Sequence, residues 1–276
     1  MQYIIYKHRS IIINRGDILE SGQGNYINSI IRAVKILDLY EENIKYLGIS
    51  EIARALDLNK STVYRIVKTL KEEEMLIQDN ESQKYKLGYK ILEIANRMRK
   101  QYNHKDIAYE EMVKLRDKTG EAVLLSVYTN IGGVCIEKVE TKNTIKLSSK
   151  AGHTTPLHAG ATGKILLAYA GEKEIEKVLS EDLESYTNNT IHNPDILKKQ
   201  LKDIRQKGYV ISWGEVDKGA VGIGAPILDQ EGNLLYGLSL AGPEDRIKNF
   251  GLDKTIKLVT ETADEISKKI NLLEIS

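Results

Sequence analysis

The sequence predicts an α+β protein of two domains. A winged helix-turn-helix comes first, and a linker helix joins it to a larger domain built on an antiparallel-rich sheet. Three observations carry this reading. From Ile27 to Leu70, apolar residues recur at three- and four-residue spacing in three short stretches, and two strand-like runs follow. Beyond Lys105, strand-like and helical stretches mix without strict βαβ alternation. The net charge of +1 over 276 residues also hides a division: residues 25–104 hold 14 Lys and Arg against 11 Asp and Glu, whereas residues 105–276 hold 23 against 26.

Composition removes several classes. At 41% hydrophobic the chain is too apolar to stay disordered. No apolar run approaches the roughly 18 residues of a membrane span, so no membrane partner is expected. The single cysteine, Cys135, excludes an internal disulfide and any zinc site built on several cysteines. Lys7, His8 and Arg9 break up the Ile and Tyr clusters at the N-terminus, so a secretory leader is not read there and a cytoplasmic protein is expected. Residues 1–24 have no sustained period. They read as an N-terminal extension, either a poorly ordered tail, an edge strand or an upstream start of the reading frame.

Residues 25–88 form the expected DNA-binding domain. Ile27, Ile30, Ile31, Val34 and Leu37 mark a helix running to about Tyr40, with that stripe either buried in its own domain or serving as a dimer seam. Ser50 is the expected N-cap of a short second helix, with Glu51 in its first turn and Ile52, Ala55 and Leu56 facing inward. Asp57-Leu58-Asn59 supplies a tight turn. A third helix starts at about Lys60, with Val63, Ile66, Val67 and Leu70 as its inner face. Met75–Ile77 and Lys84–Leu87 flank a polar turn and read as a hairpin wing.

Residues 89–104 are the expected linker helix, with Leu92, Ala95 and Met98 on one side and Lys90, Arg97, Arg99 and Lys100 on the other. The domain over 105–276 opens with a helix ending at Gly120, a natural C-cap. Strands are expected over Ala122–Tyr128, Val134–Val139 and Thr144–Ser148, with a turn at Gly132-Gly133. Helices follow near Thr162–Ala170, Glu172–Leu179 and Asp195–Lys207, then strands over Tyr209–Trp213, Gly222–Leu228 and Leu234–Ala241. A helix from Leu252 to Leu273 closes the chain.

With the third helix's apolar residues inward, Ser61, Thr62, Tyr64, Arg65, Lys68 and Thr69 must face outward. Ser61, Arg65 and Lys68 share one face at i, i+4, i+7. From Leu58 to Lys71 there are four cations, Lys60, Arg65, Lys68 and Lys71, and no acid. A guanidinium suits a guanine edge, whereas ammonium and hydroxyl groups suit phosphate oxygens. Ser50 could hold a phosphate at the start of the second helix. Tyr85, between Lys84 and Lys86, either clamps the flanking backbone from the wing or packs the hairpin. Tyr64 and Thr69 read equally as plain surface.

Leu47–Leu58, Lys60–Arg65 and Tyr85–Gly88 resemble the N-terminal domain of IclR-type bacterial transcription regulators. Farther on, His158-Ala159-Gly160-Ala161-Thr162-Gly163-Lys164, Gly208-Tyr209, Gly224-Ala225-Pro226-Ile227 and Ser239-Leu240-Ala241-Gly242-Pro243 resemble the effector domain of that family in the same order. The resemblance covers about residues 27–270. It implies a GAF-like second domain that takes a small organic acid, a palindromic double-stranded DNA operator, and a homodimer or homotetramer. Carried over by motif, the effector-facing positions are Gly160, Ala161, Thr162, Ser212, Glu215, Gly222, Ser239 and Ala241. Ser212, Gly222 and Ala241 replace the Asp, Cys and Ser of the glyoxylate-type pattern, so that ligand is not carried over.

Other chemistries find less support in the residues. Gly160–Ile165 lacks the glycine spacing and hydroxyl of a Walker loop, and Gly222-Ile223-Gly224 lacks the third glycine of a dinucleotide fingerprint. His153 and His158 have no acidic or sulfur partner nearby in sequence, so no metal or cofactor is expected. Cys135 reads as a buried hydrophobe. No nucleophile, base and acid fall in an interpretable order, so the function read is a DNA-binding regulator, a repressor, and not an enzyme. A winged-helix protein-interaction module, or an enzyme using the second domain, are the alternatives.

Overall fold

The computed structural model describes residues 26–40, 44–101, 104–144, 152 and 154–273. Residues 1–24, His153 and nearly all of the strand expected over Thr144–Ser148 lie outside the described residues. The chain divides into two compact units, Met1–Gln101 and Tyr102–Ser276.

The first unit holds α1 (Asn28–Asp38), α2 (Ile49–Ala55), α3 (Lys60–Glu72), β1 (Leu76–Gln78), β2 (Tyr85–Leu87) and α4 (Tyr89–Gln101). β1 and β2 are antiparallel, with Ile77 opposite Lys86. Leu47 adds a third segment through two backbone hydrogen bonds of 2.9 Å to Tyr85. Ile36, Ile52, Val63, Val67 and Leu76 are fully buried at its centre, and the Tyr85 ring packs with them. Asp57 adopts φ 51° in the turn between α2 and α3, a conformation that Asp tolerates better than most side chains.

Several local expectations are corrected. The N-cap of α2 is Gly48, whose N–H donates to Glu51 Oε2 at 2.6 Å, and Ser50 lies within the first turn. The inner residues of α2 are Ile52 and Ala53, whereas Ala55 is exposed, because a seven-residue helix meets α3 with only one side of its two turns. Asn59 caps α3 through its carbonyl, which accepts the Thr62 and Val63 N–H groups, and not through its side chain. On α1 the apolar stripe is turned outward: Ile27, Ile30 and Val34 are 62, 59 and 52% exposed, and Ile36 is the buried residue. Only the second half of α1, with Ala33, Ile36 and Leu37, packs into the core. Leu92 and Met98 of α4 are likewise exposed, and Lys90 and Arg97 both pair with Glu93.

The second unit holds α5 (Lys105–Thr119), β3 (Ala122–Thr129), β4 (Gly132–Val139), β5 (Thr154–Thr155), α6 (Gly160–Ala168), α7 (Glu172–Ser180), α8 (Pro194–Lys207), β6 (Val210–Trp213), β7 (Ala220–Leu228), β8 (Leu234–Pro243), α9 (Glu244–Phe250) and α10 (Leu252–Leu273). The sheet runs β5-β4-β3-β8-β7-β6, antiparallel throughout. Its strands alternate between two cores, as a period of two requires. Val221, Ile223, Ala225 and Ile227 of β7 face α5 and α10. The intervening residues face α6, whose Ile165, Leu166 and Leu167 form a second core with α7 and α8. Local chemistry sets the ends of α8: Asn193 caps the Asp195 and Ile196 N–H groups, Pro194 opens the helix, and Gly208 ends it at φ 75°.

Three details of this unit depart from the sequence reading. Gly132 and Gly133 belong to β4, and the turn before them is Asn130-Ile131. β5 and α9 were not foreseen, since two and seven residues are too few to display a period.

Candidate functional site

The outer face of α3 is the first candidate. The helix has 13 residues and no acid in its first turn. Ser61, Tyr64, Arg65, Lys68 and Thr69 are exposed, and Thr62 is half-buried. Among the described residues, Lys60, Ser61 and Arg65 make no side-chain hydrogen bond or ion pair. Lys60 adds positive charge where the helix dipole is already positive, which disfavours the helix by a few tenths of a kcal/mol and favours an incoming anion. Lys68 makes only a long exposed contact with Glu72, at 3.9 Å. Thr69 is less available, because its hydroxyl donates to the Arg65 carbonyl at 3.0 Å. Ser50 is exposed on the first turn of α2.

The wing differs from its expected role. The Tyr85 ring is buried in the core, and burial raises its hydroxyl pKa. Its neighbours in the chain alternate outward, so packing claims the tyrosine and leaves the lysines at the surface. Lys84 pairs with Glu51 at 2.8 Å, tying the wing to α2. The Lys86 ammonium lies over the Tyr46 ring, 5.8 Å from its centroid.

The second candidate is the sheet face under the start of α6. The register brings together positions that the sequence separates by dozens of residues. Ser212 lies opposite Gly222, Gly222 opposite Ala241, and Ala241 opposite Ala122, one row across four strands. The adjacent row runs Val210, Gly224, Ser239, Leu124 and Lys138. Thr162 reaches down from α6 to Ser239, hydroxyl to hydroxyl, at 2.8 Å. The two β7 glycines permit this approach. A Cβ on Gly222 would lie 3.0 Å from the Ala161 Cβ, and one on Gly224 would lie 3.1 Å from the Ala161 carbonyl. Ala241 and Gly222 are half-buried, whereas Ser212 and Ser239 are buried.

Glu215 and Lys164 were not read from sequence as a pair. Lys164 is fully buried within α6, and its ammonium bonds Glu215 Oε1 and, at 3.2 Å, Gln200 Oε1. Burial pushes the Lys164 pKa down, and Glu215 opposes that shift. The other Glu215 oxygen accepts the Gly160 N–H at 3.2 Å. The Thr190 hydroxyl fixes the Glu215 carbonyl at 2.5 Å, and the Thr187 hydroxyl fixes that of Gly214 at 2.6 Å. A carboxylate of the chain itself therefore occupies the first amide of α6. The one sequence signal was Lys164 immediately before the apolar run Ile165–Ala168.

The remaining candidates are accounted for locally. His158 bonds the Glu184 carbonyl at 2.8 Å and stacks on Tyr186. Burial pushes the Cys135 thiol up to about 11. Among the described residues no group of three or more His, Cys, Asp or Glu side chains could hold a metal, and no helix is long and apolar enough to cross a membrane.

A winged helix with a cationic outer face, carried in one chain with a larger α+β unit, defines a DNA-binding regulator with a second, separate module. The chain belongs to the IclR family of bacterial transcriptional regulators. Residues 29–80 match the IclR helix-turn-helix domain, and residues 99–268 match the bacterial transcriptional regulator IclR C-terminal domain. The HTH-type transcriptional regulator XynR of Escherichia coli (strain K12) is 31% identical over 227 residues, 82% of this chain and 90% of that protein. The crystal structure of Thermotoga maritima IclR is 32% identical with a TM-score of 0.64, covering 89% of this chain and all of that one. An IclR homologue from Microbacterium hydrocarbonoxydans, complexed with 4-hydroxybenzoate, is 25% identical with a TM-score of 0.76, covering 87% and 98%.

Proposed function

We propose that this regulator reads a palindromic operator with α3 and releases or tightens it when a small organic acid binds beneath α6. The exposed cationic face of α3 is the observation that carries the reading. In this account Arg65 reads a base edge, and Lys60, Ser61, Thr62, Tyr64 and Lys68 contact the duplex around it. Ser50 meets a phosphate at the start of α2, and Thr69 braces Arg65 from within the helix. The Tyr85 ring supports the wing from inside.

The protein acts as a homodimer, or as a tetramer of two such dimers. The outward stripes of α1 and α4 support this, because Tyr26, Ile27, Ile30, Val34, Leu92 and Met98 leave apolar surface to water in a single chain. Repression is the favoured sign: occupying a promoter suffices to block it, whereas activation needs a further surface for the polymerase. The effector rests against Ala161, Thr162, Ser212, Gly222, Ser239 and Ala241, while Gly160 and Glu215 hold the start of α6 in place. The second unit is a sensor and not an enzyme, and the protein works in the cytoplasm; the regulators among its relatives support both readings. Effector binding shifts the population between states that space two reading heads differently, a coupling of about 1–3 kcal/mol.

The test is selection of bound fragments from sheared genomic DNA, followed by footprinting. The expected result is a protected palindrome with half-sites about one helical turn, or a multiple of it, apart. Arg65→Ala should weaken the enrichment and relax the preference at one base position of each half-site. Enrichment of no sequence, with or without small acids present, would remove the DNA-reading assignment.

A further inference from the structure

We propose that Glu51 is a built-in competitor of DNA. It holds the Lys84 ammonium that a phosphate would otherwise take, and so weakens the grip of the winged helix on all DNA alike. The inference rests on the DNA-reading assignment above and adds a residue that sets the strength of the sequence-independent hold.

The first unit treats its cations in two ways. On α3, Lys60 and Arg65 make no side-chain hydrogen bond or ion pair among the described residues, and Lys68 makes its long contact with Glu72. On the wing both lysines are engaged. The antiparallel bridge between Leu47 and Tyr85 sets Tyr46 beside Lys86 and Gly48 beside Lys84. The Lys86 ammonium lies 5.8 Å from the centroid of the Tyr46 ring. The Lys84 Cγ passes 3.8 Å from where a Gly48 Cβ would stand, and its ammonium donates to Glu51 Oε1 at 2.8 Å.

The geometry fixes Glu51 for this role. Its other oxygen, Oε2, accepts the Gly48 N–H at 2.6 Å, which anchors the carboxylate to the backbone and presents Oε1 to the lysine. Both bonds are charge-assisted. The Lys84 and Glu51 side chains are 40 and 42% exposed, so a phosphate oxygen has access to the pair. Ser50, the neighbour of Glu51, is the phosphate contact assigned above. The ammonium is therefore held beside that contact by a group that DNA repels. Released, the flexible lysine stem needs only to turn from Glu51 to meet the backbone of the duplex. Held, it forms a neutral pair and displaces no counterion from DNA.

The experiment is fluorescence anisotropy of the full chain across a salt series, on a fragment recovered by the genomic selection and on an unrelated duplex of the same length. Wild type is compared with Glu51→Gln, with the double change Glu51→Gln and Lys84→Gln, and with Glu81→Gln. The amide that replaces the Glu51 carboxylate still accepts the Gly48 N–H, and thermal melts check that each variant is folded. Glu51→Gln should tighten both duplexes about threefold or more at low salt and steepen the slope of log affinity against log salt by about 1, the mark of one added phosphate contact. The double change has the net charge of wild type and should bind both duplexes within about twofold of it, with the same slope. Glu81 is exposed in the wing turn and makes no ion pair among the described residues. Glu81→Gln removes the same charge without freeing a lysine and should leave the slope unchanged. A shallower slope in the double variant would mean that Lys84 already contacts phosphate in the wild type, and overturns the inference. An unchanged slope in Glu51→Gln, or an equal rise in Glu81→Gln, overturns it as well. Wild-type protein that binds neither duplex overturns the DNA-reading assignment itself, and this inference with it.

Discussion

The two helices that begin the candidate sites, α3 and α6, solve one electrostatic problem in opposite ways. Both leave N–H groups at their first turn. At α3 the chain adds Lys60 and withholds every acid from the first turn, so the positive end stays open to water. At α6 the chain supplies Glu215 to the first amide and buries Lys164 against it, so the end is neutral and closed. The open end suits a polyanion, whose charge is read at long range and screened by salt. The closed end, already met by Glu215, offers an incoming anion less than the open end does. Similar backbone chemistry therefore gives two electrostatically different helix ends, and the difference lies in which side chain arrives first.

The largest expected effect comes from opening the closed end. Lys164→Met leaves Glu215 buried without its counter-ion and should cost about 3–5 kcal/mol of stability. The double change Lys164→Met with Glu215→Gln should recover most of that. Denaturant melts of the three proteins measure it, and a single-variant loss below about 1 kcal/mol would mean that the pair is not sealed from water. Next comes the open end. Arg65→Ala should weaken operator binding by about 1–3 kcal/mol and relax the preference at one base position, which competition between operator variants would reveal. An equal loss on unrelated DNA would make Arg65 a phosphate contact.

Lys68→Ala should weaken all DNA alike and lower the slope of log affinity against log salt by about 1. An unchanged slope would place Lys68 off the backbone. The smallest effect is at the wing. Lys84→Ala removes an exposed pair with Glu51 and should cost less than about 1 kcal/mol. Lys84 and the Gly48 N–H hold the Glu51 carboxyl below its ordinary range. That contribution is therefore fully present above the usual Glu pKa and fades as the pH falls through the lowered value. Melts between neutral and acid pH should show wild type and Lys84→Ala converging as the pH drops, and a gap that widens in acid would contradict this origin.

Much of the fold was legible because it is periodic. The three apolar positions Val63, Val67 and Leu70 fixed the outward set on α3, and Gly120 and Gly208 marked helix ends where the chain needs positive φ. The sequence was weaker wherever a partner, and not a period, decides. The stripe on α1 has a clear helical spacing, but spacing does not say whether its cover is the same chain or another. Tyr85 offers the same ambiguity at one residue: flanked by lysines it resembles a surface group, and only the bridge to Leu47 turns it into core. The Lys164–Glu215 pair joins residues 51 positions apart through a loop held by Thr187 and Thr190, and no local pattern announces it.

The most direct test of the central claim is fluorescence anisotropy of the full chain on its selected operator. It would be run across a salt series, with and without the acid that binds tightest. The account predicts a log–log salt slope of several units and a shift in operator affinity of about 5–150-fold when the acid is added. Operator affinity that ignores the acid at every salt concentration, while the acid demonstrably binds, would contradict it, because the two units would then act independently.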